Sequence, residues 1–348
     1  MTNAIPFCDL GRALAPIRSE IDDAIRRTLD RGWFLRGPEV IAFEEEWATY
    51  CGQLHAVCCN SGTDALTIAA IALGLKTATV QANTLPLTAI GLRRSGAAVH
   101  LGEVGPDGRI AHPAPDAVPV LLYGRPPEGK ESRAQLFDAA HGHGWKPPRE
   151  AVAAWSFYPT KTLGALGDGG AVTTNDEHLA LEMRKLCGRD DMLHDRRQIT
   201  SRMDEVQAAV LRVKLRYLDD WLAERQEIGR HYEARLRLPS ITLLGSSLYH
   251  LFVIRVTCRD ELFRHLAERG IGSKVHWPRA LHRLNGDWSF EGEYDMADSW
   301  CDSVLTLPCF PGLRSSEIDF ICDTILTWSD SILTLSGKDV QQGQDSSD

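Results

Sequence analysis

The length, composition and charge of the chain exclude several classes of protein. Its 348 residues are 43% hydrophobic and 24% charged, enough for a large core, and the length suggests a large domain with a smaller one or two of similar size. The net charge of −9 and the pI near 5.8 argue against nucleic-acid binding, because phosphate backbones normally require a basic face. Nothing resembles a signal peptide or a membrane span, so we expect a cytoplasmic protein without membrane contact.

Cysteine usage points to a reducing compartment. The nine cysteines are odd in number and show no CxxC spacing. We therefore expect reduced, mostly buried thiols, with a metal site as the less favoured alternative, and we predict no bound metal.

The first quarter of the chain predicts helices around a short buried strand. Residues 16–31 carry apolar side chains at helical spacing, and residues 38–51 repeat that pattern behind a proline suited to a first helical turn. The apolar run at 55–60 is too short for a helix and is interpreted as a strand. A third helix is predicted to begin in the turn 61–64.

Strand candidates alternate with helix or turn signals over the next hundred residues. They lie at 79–81, 98–101, 118–122, 135–137, 153–157 and 171–174. Such alternation predicts an α/β fold, in which a largely parallel sheet is covered by helices on both faces.

The final third changes character. A helical region is predicted at 204–236, a strand at 250–256 and helices at 259–269 and 318–328. We therefore predict a large domain over 1–225 and a small α+β domain over 226–330. The polar segment 331–348 lacks apolar anchors near its end and is expected to be disordered.

Three positions carry residue types suited to chemistry. The turn Ser61-Gly62-Thr63 would present backbone N–H groups at a helix start, which suits a phosphate, although an ordinary helix cap explains it as well. Asp138 follows an apolar strand, where open α/β sheets place ligands, and could pair with a cationic nitrogen or merely cap the next helix.

Lys161 occupies the most informative setting. It lies in a Gly-rich polar loop between two apolar segments, within WSFYPTKTLGALGDGGAVTTND. A lysine that forms a Schiff base needs an ordered loop, a nearby phosphate and a pKa lowered by burial or by neighbouring positive charge, so this setting makes Lys161 the candidate. Four histidines, His141, His143, His276 and His282, are more typical of structural hydrogen bonding than of metal binding, because no HExxH pattern is present.

These residues resemble the DegT/StrS-type sugar aminotransferase family of fold-type I pyridoxal 5′-phosphate (PLP) enzymes. The resemblance runs from about residue 5 to 328. It is carried by GWFLRGPEVIAFEEEWATYCG, NSGTDAL, ANTLPLTAIGL, FDAAHGHG, SFYPTKTLGALGDGGAVTTND, SRMDEVQAAVLRVKL and GIGSKVHWPRALH.

The resemblance implies a role for each matching residue. Lys161 would be the Schiff-base lysine and the proton-transferring base, and Asp138 would hold the cofactor's pyridine nitrogen protonated. Ala140 would lie under the ring and His141 would reach toward it. Phosphate would be bound by Gly62, Thr63 and Ser156.

The resemblance also implies a homodimer with shared active sites. The segment around Arg202 would approach the neighbouring site, and Arg202, His276 and Tyr158 are the expected substrate residues. Two positions depart from the family pattern. Thr200 replaces an asparagine that would reach the partner's cofactor, and Leu85 replaces an aromatic residue that would stack on the ring.

The implied activity is PLP-dependent transamination of a nucleotide-linked 3- or 4-keto-deoxysugar, with L-glutamate as the expected donor. Amination of a keto-cyclitol is an alternative, and a non-catalytic scaffold or sensor is another, suggested by Leu85 and by short connections on either side of Asp138. A related sugar dehydratase would carry histidine in place of Lys161.

Overall fold

The computed structural model describes residues 4–188 and 197–342, with side chains as far as residue 330. Three helices open the chain: α1 (Leu10–Leu14), α2 (Arg18–Arg31) and α3 (Pro38–Cys51). The helices predicted at 16–31 and 38–51 are therefore confirmed. Both α2 and α3 pack against a later helix, α7 (Glu205–Leu215).

A buried carboxylate from α7 closes the start of α3. Glu205 is fully buried and accepts hydrogen bonds from the backbone N–H groups of Gly37 and Glu39, both at 2.8 Å, and of Val40 at 3.1 Å. The first N–H groups of a helix have no intrahelical acceptor, so this one side chain satisfies three groups that would otherwise be buried without partners.

Replacing Glu205 with alanine should destabilise the fold. Because three buried N–H groups lose their acceptor, we expect the free energy of unfolding to fall by about 3 kcal/mol, measured by urea denaturation. Glu45→Ala is the matched control, since Glu45 is an exposed carboxylate on α3, the helix whose start Glu205 caps. Equal denaturation midpoints for the two variants would contradict this account.

Within the described part of the chain, the central sheet contains six strands and one extended connection. The strands are β1 (His55–Cys59), β2 (Thr77–Gln81), β3 (Ala98–Gly102), β4 (Leu136–Asp138), β5 (Val152–Ser156) and β6 (Gly170–Thr174). Their order is β1-β6-β5-β4, followed by segment 116–121 and then β2-β3. Only β6 runs antiparallel to its neighbours, so the sheet is mostly parallel, as predicted.

The strand predicted at 118–122 is wrong in part. This segment forms single parallel bridges, Thr79 to Ala117 and Val120 to Asp138, and then turns tightly at Leu122–Gly124. Pro119 lacks the N–H group that a continuous ladder would need, and Tyr123 adopts a positive φ of 63° that ends the extension.

Helices cover both faces of the sheet. On one face lie α4 (Gly62–Ala72), α5 (Pro86–Arg94) and α6 (Glu177–Leu186), and on the other lie α3 and α7. Alternate strand residues divide between these two cores: Ala154 packs in the first, and Ala153 and Trp155 pack in the second. The predicted covering on both faces is confirmed.

The C-terminal part forms a second structural unit. It contains α8 (Leu218–Arg235), the antiparallel strands β7 (Ile241–Leu243), β8 (Phe252–Val256) and β9 (Val304–Leu307), and helices α9 (Arg259–Glu268), α10 (Asp295–Ser303) and α11 (Ser315–Gln342). The helical region predicted at 204–236 is split into α7 and α8.

Helix α8 joins the two units. Its first half, with Leu218 and Leu222, packs in the core beneath the sheet, and its second half, with Ile228 and Tyr232, packs in the C-terminal core. The boundary predicted at 225/226 lies inside this helix and stays a prediction. Helix α11 continues to residue 342, into the segment expected to be disordered, and residues 343–348 lie outside the described part. No helix in that described part is both long and apolar enough to cross a membrane.

Candidate active site

Two adjoining cavities lie beyond the carboxyl ends of β4 and β5. We call them the Asp138 cavity, of about 280 Å³, and the Arg225 cavity, of about 440 Å³. Five side chains line both of them: Leu85, His141, Tyr158, Lys161 and Trp277. A molecule bound where the two cavities meet would contact the Lys161 side chain.

The loop that carries Lys161 is closed tightly at its base. Phe157 accepts a hydrogen bond from the Ala165 N–H and donates its own N–H to Gly169, each at 2.8 Å. Gly164 sits so close to the Pro159 carbonyl that a Cβ atom would lie 2.3 Å from the oxygen, so only glycine fits there. The loop connects β5 to the adjacent antiparallel strand β6, which fixes both of its ends.

Burial changes the chemistry of the Lys161 amine. It lowers the pKa of Lys161 to about 8, and the negative charge of Asp138 partly opposes that shift. A buried ammonium loses hydration, which favours the neutral amine. Near neutral pH the neutral, nucleophilic fraction of the Lys161 amine is therefore about a tenth, far more than for an exposed lysine.

A second buried lysine supports this loop from below. Lys214 of α7 is buried and donates a hydrogen bond to the Gly164 carbonyl oxygen. Burial lowers the pKa of Lys214 to about 8 as well. Lys214 lines neither large cavity, so its contact with the loop is structural.

Asp138 is held at the end of β4 by two hydrogen bonds. Its Oδ2 accepts from the Thr88 hydroxyl at 2.7 Å, and its Oδ1 accepts from the Ala140 N–H at 3.0 Å. Burial raises the pKa of Asp138, although both hydrogen bonds and the nearby Lys161 favour the carboxylate. Asp138 thus binds a proton, or a protonated partner, more readily than an exposed aspartate does.

The turn at the start of α4 forms another wall of the Asp138 cavity. Ser61 caps the helix by accepting from the Asp64 N–H at 3.1 Å. Gly62 and Thr63 follow in the first turn, where backbone N–H groups precede the helical ladder. A Cβ on Gly62 would lie 2.7 Å from the Ser156 Cβ, so glycine is needed to bring this turn against β5. The turn and Ser156 together line one end of the cavity.

The buried histidines near Lys161 are neutral. Burial lowers the pKa values of His141 and His250 well below the usual value. Nδ1 of His141 accepts from the Tyr123 N–H at 3.2 Å, which leaves the ring proton on Nε2. The His250 ring lies 4.3 Å from that of His141 and contacts the Thr162 hydroxyl at 3.1 Å.

The expected substrate residues are only partly brought together. His276 lines the Arg225 cavity, bonded to the Thr306 hydroxyl at 2.9 Å, and burial lowers its pKa to about 3. Tyr158 and Leu85 are partly exposed and line both cavities. Arg202 lines neither.

Thr200 also lies outside both cavities of its own chain. It is exposed and precedes Ser201, whose hydroxyl donates to Asp64 at 2.7 Å and accepts from the Asn60 N–H at 3.0 Å. These contacts place the segment on the outer side of the α4 turn. The roles expected for Thr200 and Arg202 in a partner's site stay predictions.

Several lining residues carry no recognisable local signal in the sequence. Trp277, Asp168 and Thr88 line the Asp138 cavity, and Arg225 and His250 line the other. Arg225 and His250 come from the C-terminal half of the chain and reach the site only through tertiary packing. No cluster of three or more His, Cys, Asp or Glu suited to a metal ion occurs in residues 4–188 and 197–342.

Comparison with known proteins gives a consistent picture. A model of the DegT/DnrJ/EryC1/StrS aminotransferase family matches residues 16–114 and 134–326. The chain is 38% identical to the erythromycin biosynthesis sensory transduction protein EryC1 of Saccharopolyspora erythraea, over 92% of this chain and 98% of that protein. It is 36% identical to a dTDP-3-amino-3,4,6-trideoxy-alpha-D-glucose transaminase of Streptomyces venezuelae, over 95% and 98% respectively.

A solved structure agrees with the sequence matches. The crystal structure of S. venezuelae DesV in complex with a ketimine intermediate superposes with a TM-score of 0.87 at 35% identity, covering 94% of this chain and 99% of that one. The expected fold-type I architecture is confirmed. The chain is an aminotransferase and belongs to the DegT/DnrJ/EryC1/StrS family.

Proposed function

We propose that this aminotransferase uses PLP to move an amino group from an amino acid to the 3- or 4-keto carbon of a nucleotide-linked deoxysugar. The observation that carries the proposal is that the Lys161 amine and the Asp138 carboxylate face one cavity. The printed name of the S. venezuelae relative, a dTDP-3-amino-sugar transaminase, supports the substrate class and favours the 3-position.

The Asp138 cavity fits PLP residue by residue. Gly62, Thr63 and Ser156 would hold the phosphate at the positive end of α4, where the absence of a Cβ on Gly62 lets the turn lie against Ser156. Asp138 would pair with the ring nitrogen, Ala140 would lie beneath the ring and His141 would donate from Nε2 toward it. Leu85 would supply apolar cover in place of an aromatic ring.

Each residue of the site would have a separate role in transamination. Bound PLP acts as an electron sink for the carbon next to the migrating amine. Asp138, anchored by Thr88 and Ala140, keeps a proton on the ring nitrogen. Lys161 would hold the cofactor and, as a free amine, would carry a proton between the reacting carbons. The neutral histidines hold the site without adding positive charge.

Attachment of PLP to the apo protein should depend on the protonation of Lys161. Only the neutral amine is nucleophilic, and burial lowers the pKa of Lys161 to about 8. We therefore expect the rate of PLP attachment, followed by visible absorbance, to rise with pH and to level off above about pH 8. A rate that keeps rising up to pH 10, as for an exposed lysine, would contradict this prediction.

A substrate panel tests the proposal directly. Thymidine-, uridine-, guanosine- and cytidine-linked keto sugars, 3-keto and 4-keto, would be supplied with L-glutamate, and amino-sugar formation followed by mass spectrometry. A keto-cyclitol belongs in the same panel. Turnover of the cyclitol alone would overturn the sugar assignment.

A sensor without catalysis is the competing reading, because the name of the S. erythraea relative describes sensory transduction. The shared cavity of Lys161 and Asp138 argues for catalysis, since a scaffold has no need of a buried amine opposite a buried acid. Protein that binds no PLP and stays colourless would defeat the catalytic proposal.

We further propose that two copies form a dimer with shared sites. Consecutive apolar side chains at Trp33, Phe34 and Leu35 are exposed on the single chain, and Thr200 and Arg202 lie away from their own cavities. Light scattering of the PLP-loaded protein tests this, and a monomer would overturn it. The cytoplasmic location stays a prediction from the sequence.

A further inference from the structure

The charged side chains that line the Arg225 cavity are cationic. Its basic lining side chains are Lys161, Arg225 and Lys274, and its three histidines are neutral because burial lowers their pKa values. No aspartate or glutamate is among the described residues that line it. A cavity with cations and no acid is suited to an anionic ligand.

Arg225 is the least accessible of these cations. Its side chain projects from α8 and is only 5% exposed. Its Nη1 donates to the carbonyl oxygens of His250 at 3.0 Å, Tyr249 at 3.4 Å and Cys309. Its Nε is buried and has no acceptor among the described residues.

A buried guanidinium without a carboxylate partner is costly. Backbone carbonyls offset part of the lost hydration, but buried charges are normally paired with an opposite charge. A guanidinium is well suited to a carboxylate, because two of its N–H groups can donate to the two carboxylate oxygens. The unfilled donor capacity therefore points to a carboxylate supplied by a ligand.

The position of Arg225 indicates which carboxylate of an amino-acid ligand it would bind. Lys161 lines both cavities, whereas Arg225 lines only the second, so an anion at Arg225 lies away from the carbon that reacts at Lys161. The α-carboxylate of an amino acid is bonded to that reacting carbon. The side-chain carboxylate of glutamate is separated from it by two methylene groups.

The depth of the site argues against the diphosphate of a nucleotide. Arg225 and its neighbours His250 and Cys309 are buried, whereas Tyr158 and Lys274 are exposed at the opening. A diphosphate carries bulky groups at both ends and cannot fill a closed end, but a carboxylate terminates its chain and can.

From this arrangement we propose that Arg225 binds the side-chain carboxylate of a dicarboxylic amino-acid donor and so selects L-glutamate over uncharged amino acids. This inference rests on the proposed transaminase function and concerns its amino-acid donor. Arg225 would act on donor affinity and leave proton transfer at Lys161 unchanged.

The test compares L-glutamate with L-glutamine, its uncharged near-isostere, in single-turnover reactions of PLP-loaded protein. Loss of visible absorbance measures each rate. Wild type should prefer glutamate, and Arg225→Gln should lower the glutamate-to-glutamine ratio of kcat/KM by about 10- to 100-fold, as expected for a lost charged hydrogen bond. Arg264→Gln, an exposed arginine on α9, should leave the ratio unchanged.

The ratio is insensitive to partial unfolding, which matters because Arg225 also holds three carbonyl groups. A fall in folded protein lowers both rates equally. Binding of glutarate, an unreactive dicarboxylate, gives a second readout by calorimetry, and Arg225→Gln should weaken it while Arg264→Gln does not.

The outcomes separate the two proposals. An unchanged ratio in Arg225→Gln, or a wild type that does not prefer glutamate, overturns the donor assignment. A selective loss in the reverse half-reaction with a nucleotide-linked amino sugar also overturns it, because Arg225 would then serve the diphosphate. A wild type that reacts with no amino acid and no amino sugar overturns the transaminase function itself.

Discussion

Replacing Lys161 with alanine should abolish transamination. The variant loses both the amine that attaches PLP and the base that moves a proton. Among the described residues that line the Asp138 cavity, Lys161 is the sole lysine, and burial lowers the pKa values of the adjacent His141 and His250, which makes them weak bases. We expect turnover to fall by about 10⁴-fold or more. Steady-state assays with L-glutamate and the best sugar of the panel measure the loss.

Two further measurements show that the loss is chemical. Borohydride reduction should fix PLP on the peptide that contains Lys161 in wild type, detected by mass spectrometry, and on no peptide of the variant. Lys185→Ala, which removes an exposed amine from α6, should behave as wild type. Retention of turnover in Lys161→Ala would defeat the assignment of the site.

Replacing Asp138 with asparagine should have the second-largest effect. A neutral amide cannot stabilise a proton on the ring nitrogen, so the cofactor becomes a poorer electron sink and we expect kcat to fall by about 10²- to 10⁴-fold. The side chain remains the same size, and Thr88 and Ala140 remain in place beside it. The fold should therefore be preserved, which circular dichroism would check.

This variant also predicts a shift that a purely structural defect would not produce. The negative charge of Asp138 raises the pKa of Lys161, so Asp138→Asn should move the midpoint of PLP attachment below about pH 8. Thr88→Val, which removes only the 2.7 Å hydrogen bond, should retain most of the activity and the midpoint. An unchanged midpoint in Asp138→Asn would mean that the two groups do not interact.

The catalytic pair could be predicted because both residues carry local signals. Asp138 ends an apolar strand, and Lys161 lies in a Gly-rich loop after another. They meet because β4 and β5 are parallel neighbours, so their carboxyl ends lie at the same edge. The order of the strands was not readable from periodicity, yet parallel pairing of neighbours was enough to bring the two residues together.

The Arg225 cavity could not be predicted in the same way. Arg225 belongs to a helix with many charged residues, where a further arginine looks like part of a solvated surface. Its burial depends on packing against His250 and Cys309, which lie 25 and 84 residues away along the chain.

The short connection before Asp138 is held in place by ion pairs and hydrogen bonds. The family model leaves residues 115–133 unmatched, within the region where the sequence indicated a short connection before Asp138. Ion pairs of Arg109 with Asp107 at 3.2 Å and Glu128 at 2.9 Å fasten this segment, and buried Glu131 accepts from the Ile110 N–H at 3.0 Å. Asp138 keeps its place because the backbone N–H of Leu121 still donates to its carbonyl oxygen.

The antiparallel strand β6 has a mechanical consequence for the reactive amine. Because it lies between β1 and β5, the loop bearing Lys161 leaves the middle of the sheet and returns to it one strand away. The Lys161 amine is therefore carried by a short loop whose two ends are fixed by neighbouring strands. The amino donor and the keto acceptor would bind in turn at this fixed amine. Any closure of the active site would come from movement of the other residues that line the cavities.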